Sequence, residues 1–292
     1  MSGGSKWRPE GRALDAVARR EAPGEFVELS RGYTHFELGG PPTARTVVLI
    51  HGFSVPYFIW DPTFRFLTEA GRRVLRYDLF GRGYSDRPDV AYDMALFIQQ
   101  LEQLLDALGI QQADVIGLSM GGPIAAAFSV ADPRRVGRLV LVGPSGARAI
   151  HLGFLYRIAV LPGISDALFR IAGNDYMLRA VAEDFFDPEL VRLFRERYRA
   201  QMEYRGFRRA ILSSVRSGML GSFAGTYRIL DTLKKRILVI WGEHDKTVPY
   251  ADSHRMRQLL STAEFVPVRN SGHIPHYERP DFVNPLLIRF LN

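Results

Sequence analysis

Six short runs dominated by valine, isoleucine and leucine recur along the chain, with helix-forming segments between them. TVVLI ends at Ile50, RVLRY at Tyr77, ADVIG at Gly117, RLVLV at Val142, RILVI at Ile240 and AEFVPV at Val268. An unbroken apolar run of this length reads as a strand covered on both faces, because a half-exposed strand would alternate apolar with polar residues. The segments from Asp61 to Ala70, Asp93 to Leu108, Met120 to Ala131 and Ala251 to Leu260 read as helices. DFVNPLLIRFL supplies a final one, which Pro285 must bend or delay. Parallel strands need crossovers, and crossovers within one sheet are right-handed, so helices come to cover both faces. The expected fold class is therefore α/β, with a doubly wound, mostly parallel sheet.

Two regions depart from that rhythm. FVEL from Phe26 and YTHFEL from Tyr33 flank SRG, the pattern of an antiparallel hairpin, and bring the expected sheet to about eight strands. From about Arg148 to Tyr227 no run reads as a strand. FLYRIAVL, SDALFRIA and DPELVRLFRERYRAQM are amphipathic instead, with breaks at Pro162 and Gly173. Insertions beyond strand ends are where such sheets build lids. The expected organisation is a core over residues 1–147 and 228–292, interrupted by a helical cap over 148–227.

Where the ADVIG strand gives way to small helix-formers, the chain reads DVIGLSMGG from Asp114 to Gly122. A Gly-x-Ser-x-Gly turn between strand and helix holds the serine in a cramped backbone conformation, and glycines at Gly117 and Gly121 remove the Cβ atoms that would collide. The Ser119 hydroxyl then stands at a helix N-terminus, which favours negative charge. Serine at that position also serves as an ordinary helix cap. As a nucleophile it needs a base within hydrogen-bond reach, and the base needs a carboxylate to fix its tautomer. WGEHDKTVP follows the fifth of the six runs and SGHIPHYERP the last, placing Asp245 and His273 at strand ends.

With HGF at His51, YDLFGRGYSDRP at Tyr77, GLSMGG at Gly117, WGEHDKTVP at Trp241 and SGHIPHYERP at Ser271 in that order, the chain resembles the α/β-hydrolase family from Phe26 to Asn292. The resemblance implies that Ser119 is the nucleophile, Asp245 the acid and His273 the base. It also implies an oxyanion hole from the backbone N–H groups of Phe53 and Met120, with Gly52 allowing the first of these loops to turn tightly. Glu243 competes with Asp245 for the acid, and His276 with His273 for the base. His244 neighbours the acid; His51, His35, His151 and His254 read as structural, His51 as a strut for its loop. Gly81 and Gly83 do not make a phosphate loop, since no Gly-Lys-Ser/Thr follows, and Asp78 and Arg82 are expected to hold loops there.

Arginine supplies nearly all the cations behind a net charge of +7, scattered among acids rather than gathered in an arm, so no nucleic-acid partner is expected. Arg192, Arg195 and Arg199 read as a solvated helix face. Phe154, Tyr156, Phe185, Phe186 and Tyr204 read first as core, some of them facing a pocket. The chain has no cysteine, which excludes thiolate chemistry. The N-terminus lacks the apolar stretch of a secretory signal and no run is long enough to span a bilayer, so a cytoplasmic location without stable membrane insertion is expected. A serine nucleophile argues against the dehalogenase-like and epoxide-hydrolase-like branches, which attack with aspartate. The expected activity is hydrolysis of a small-molecule ester through an acyl-enzyme, with neither metal nor organic cofactor. Hydrolysis of carbon-carbon bonds in diketone-like aromatic breakdown products is the enzymatic alternative, and a ligand receptor with a relic triad the non-enzymatic one. The sequence leaves the oligomeric state open.

Overall fold

The computed structural model describes residues 10–150 and 163–292. One eight-stranded sheet organises them. Its strands are β1 (Glu25–Leu29), β2 (Gly32–Gly39), β3 (Thr46–Ile50), β4 (Arg73–Tyr77), β5 (Ala113–Leu118), β6 (Val136–Val142), β7 (Ile237–Gly242) and β8 (Glu264–Val268), in the spatial order β1-β2-β4-β3-β5-β6-β7-β8. The hairpin β1–β2 is antiparallel and joins β4 antiparallel; every later pairing is parallel. All residues of β3, β5 and β7 are buried, as their apolar side chains require, with Asp114 of β5 buried by pairing with Arg45 and Arg138, whereas the edge strands β1 and β8 are partly exposed.

The helices are α1 (Ala16–Glu21), α2 (Asp61–Glu69), α3 (Met94–Ala107), α4 (Gly121–Ala131), α5 (Ile164–Glu183), α6 (Pro188–Gln201), α7 (Phe207–Arg216), α8 (Ala224–Thr232), α9 (Asp252–Leu259), α10 (Pro275–Glu278) and α11 (Pro280–Leu291). They divide the core in two. One cluster, with Phe97, Leu101, Ile124 and Tyr227, fills one face of the sheet; the other, with Trp60, Leu67, Val283 and Leu287, fills the opposite face. Pro285 does not delay α11, which begins at Pro280 and continues through it. Its missing N–H removes only one intrahelical bond from a helix whose apolar face is fully packed.

The described part of the segment between β6 and β7 is helical, from α5 to α8, and adds no strand. The expected boundary at residue 227 falls inside α8, which packs on α4, with the Tyr227 hydroxyl donating to Ser145 O at 2.8 Å. His151, Phe154 and Tyr156, together with the FLYRIAVL stretch, lie outside the described residues. Of the remaining aromatics, Phe185 and Tyr204 are buried and Phe186 is exposed. Arg192 and Arg199 face solvent, while Arg195 donates to Leu178 O and ties α6 to α5. Among the described residues no helix is long and apolar enough to cross a membrane.

Candidate active site

Strand register brings five loops to one edge of the sheet. Ile50 of β3 pairs with Gly117 of β5, Leu118 with Val142 of β6, and Gly242 of β7 with Val268 of β8. The segments beginning at His51, Ser119, Gly143, Glu243 and Arg269 therefore leave the carboxyl ends of parallel strands side by side, where ligands bind in open α/β sheets.

Ser119 sits at φ +52°, a left-handed conformation that costs a non-glycine residue about 1–3 kcal/mol and persists only where the surroundings impose it. The surroundings are visible. Ser119 N donates to Val142 O at 2.9 Å, and Ser119 O accepts from Gly122 N at 2.9 Å and Ser145 N at 3.2 Å. The helix α4 starts immediately behind it, pressed against β3 and β5. A Cβ on Gly121 would meet the carbonyl oxygens of Ile50 and His51, the latter at 2.7 Å, and one on Gly117 would meet Gly122 N at 2.9 Å. Only glycine allows strand and helix to approach so closely.

His273 and Asp245 form a buried pair, with His273 Nδ1 and Asp245 Oδ2 at 2.8 Å. The other oxygen of Asp245 accepts from Thr247 N at 3.0 Å and Val248 N at 2.8 Å, so the carboxylate is held from two sides. Burial by itself pulls the His273 imidazole down. The Asp245 carboxylate and its hydrogen bond, then the charges of Asp184 and Glu278, outweigh it and push the group up to about 9.

The rival residues lie elsewhere. Glu243 is exposed. His276 is buried against Trp60, its Nε2 donates to Ile59 O at 3.1 Å, and burial drives it down to about 3. His244 stacks on Phe186 at 4.5 Å. His51 donates from Nδ1 to Gly52 O and accepts from Leu79 N at Nε2, each at 2.9 Å, which makes it the expected strut and defines its neutral tautomer. Asp78, held below the usual carboxylate range by His35 despite its burial, accepts from His35 Nδ1, Tyr57 N and Tyr84 N. Arg82 is fully buried and donates to Phe53 O at 2.8 Å and to Ser214 Oγ of α7 at 2.8 Å. Both residues hold loops, as expected.

Ser119 and His273 line one cavity of about 380 Å³, together with Gly52, Phe53 and Met120. Its opposite wall comes from α5 and α6, through Met177, Val181 and Phe194 among others. Sequence reasoning missed two contributors. Gly143, at φ +47°, ends β6 directly under the pair: a Cβ there would stand 3.2 Å from His273 Nδ1 and 3.4 Å from Asp245 Oδ2. The signal was the glycine directly after the RLVLV run. Asp184, at the end of α5, was the other, and nothing in its local pattern marks it.

Similarity to known proteins agrees with this architecture. The chain is 33% identical over 244 residues to a 2-hydroxymuconate semialdehyde hydrolase of Pseudomonas putida, covering 80% of this chain and 83% of that one. It is 25% identical over 278 residues to the carboxylesterase YbfK of Bacillus subtilis, covering 93% and 88%. Among solved structures, a meta-cleavage product hydrolase of Pseudomonas fluorescens superposes with a TM-score of 0.76 at 27% identity, over 92% of this chain and 97% of the other. Residues 47–286 match the model of the alpha/beta hydrolase family from the first buried strand to the last helix, and the chain belongs to that family.

Proposed function

We propose that this hydrolase cleaves carboxylic esters by nucleophilic catalysis, with Ser119 as nucleophile, His273 as base and Asp245 as the carboxylate that orients it. The observation carrying the reading is the buried His273–Asp245 pair opening, with the strained Ser119, onto a single cavity. The Ser119 oxygen attacks the ester carbonyl while His273 Nε2 takes its proton, and Asp245 stabilises the imidazolium through Nδ1–H. The oxyanion is received by the N–H groups of Phe53 and Met120, loss of one such donor costing about 3–4 kcal/mol. The imidazolium returns the proton to the departing alkoxide, and water then attacks the acyl-enzyme. The helices between β6 and β7 act as a cap that excludes solvent from the cavity.

Charge in the cavity is close to balanced at neutral pH. Its described lining carries two carboxylates, Glu183 and Asp184, the latter pushed up to about 6 by burial, beside Lys246 and a His273 ring that is cationic below about 9. A dienoate of aromatic breakdown brings a carboxylate of its own, which this balance neither attracts nor repels. The 33% identical relative, named as a semialdehyde hydrolase of that kind, favours carbon-carbon hydrolysis as the second reading. Turnover of p-nitrophenyl esters of graded acyl length, measured beside a 2-hydroxy-6-oxo-dienoate, separates them: ester kcat/KM is expected to be the larger. A larger value for the dienoate overturns the ester assignment, and no turnover of either favours a receptor with a relic triad.

The base must be neutral to accept a proton, and its imidazole is pushed up to about 9. Ester kcat/KM is therefore expected to rise with pH through an inflection clearly above the 6.5 of an ordinary imidazole. A pH–rate profile already flat by neutrality would contradict the role of Asp245. The same shift affects stability: the folded state favours the protonated ring, so its contribution is complete below 6.5 and is lost as pH climbs through about 9.

A further inference from the structure

Glu278, on the short helix α10, makes four hydrogen bonds to two separate segments. Its Oε1 accepts from Phe186 N at 2.6 Å and Asp187 N at 3.1 Å, in the turn that leaves α5. Its Oε2 accepts from Gly272 N at 2.6 Å and Ser271 Oγ at 3.1 Å, immediately before His273. A second set of bonds lies beside the first. His273 N donates to Asp184 O at 2.7 Å, and Thr247 Oγ1, two residues past Asp245, donates to Asp184 Oδ1 at 2.5 Å. Packing is equally tight, since a Cβ on Gly272 would stand 3.0 Å from Phe186 N.

We infer that Glu278 is a positioning residue for His273, acting by clasping the 184–187 turn to the histidine loop, so that this end of the proposed cap is part of the catalytic framework and does not swing as a lid. The inference rests on the reading of His273 as the base. A carboxylate is the fitting group here, because two oxygens with only acceptor character meet four donors; charge-assisted bonds of this kind are the strong ones. Glutamine would turn one of those oxygens into a donor facing donors. The clasp also sets charge. His273 is surrounded by Asp245 from the β7 loop, Asp184 from the turn after α5 and Glu278 from α10, with the neutral His276 on its own side.

The test is E278Q, assayed with a p-nitrophenyl ester. Expected are a kcat lower by on the order of 10²-fold, the scale of a small displacement of a catalytic group, and a KM within about threefold of the parent. The inflection in the kcat/KM profile should move to lower pH, since removing an anion disfavours the imidazolium. Asp184 and Asp245 remain in place, so the shift is partial. Unchanged kcat, or an unchanged inflection, overturns the inference, because a purely structural glutamate would alter thermal stability without moving the titration of His273.

Hydrogen exchange on the unmodified protein gives a second arm, independent of whether the variant folds and of activity. Amides of 184–187 and 271–273 should open together, with protection agreeing within about threefold. A 184–187 turn exchanging more than about tenfold faster than the histidine loop overturns the clasp. Complete inactivity of the parent enzyme toward esters and dienoate would count against the proposed function, leaving the clasp to be judged by exchange.

Discussion

Replacing His273 by alanine is expected to lower ester turnover by on the order of 10⁴-fold with the fold retained. In the proposed mechanism the ring accepts the proton of Ser119 and passes it to the leaving alkoxide, so its loss removes both transfers at once and leaves the proposed oxyanion donors at Phe53 and Met120 in place. S119A should give a loss of the same order. H276A is the informative contrast. That ring packs on Trp60 and donates to Ile59 O, so its removal should lower thermal stability through the cavity it leaves, with kcat per folded molecule within about tenfold of the parent. Steady-state kinetics on purified variants, normalised by circular dichroism, read both effects. If H276A abolished turnover and H273A did not, the base would have been misassigned.

The second large effect is structural. G121A forces a Cβ against the backbone carbonyls of Ile50 and His51, neither of which can yield without separating β3 from α4. A loss of more than about 4 kcal/mol is expected, beyond the range of ordinary substitutions, and the protein should unfold at much lower denaturant. Gly225 provides the control. It lies in α8 with open space where a Cβ would project, so G225A should be neutral or stabilising by up to about 1 kcal/mol, from helix propensity. Equal denaturation midpoints for the two variants would contradict the close approach of β3 and α4 behind Ser119.

Much of the sheet was legible because burial on both faces is written directly into residue type. TVVLI and the apolar residues of ADVIG and RILVI read as covered on both faces, and they occupy the interior strands β3, β5 and β7, where Asp114 is buried by its pairing with Arg45 and Arg138. The hairpin was legible from its turn residues. What escaped was determined by contacts between distant segments. Glu278 lies within SGHIPHYERP, but its role is invisible there, since its partners Phe186 and Asp187 lie 92 and 91 residues away. The 3₁₀ turn Tyr57–Trp60 and the four-residue α10 are too short to show periodicity, and tertiary packing decides them. The pairing of His273 with Asp245 is likewise long-range; the choice against Glu243 and His276 came from resemblance, and the geometry now brings His273 and Asp245 together.

The most direct test of the central claim is covalent labelling with a fluorophosphonate followed by peptide mass spectrometry. Wild-type protein should take up one equivalent, all of it on Ser119, with labelling abolished in S119A and slowed by orders of magnitude in H273A. An adduct on any other serine, or none under conditions that label an active esterase, would contradict a nucleophile at the tip of β5.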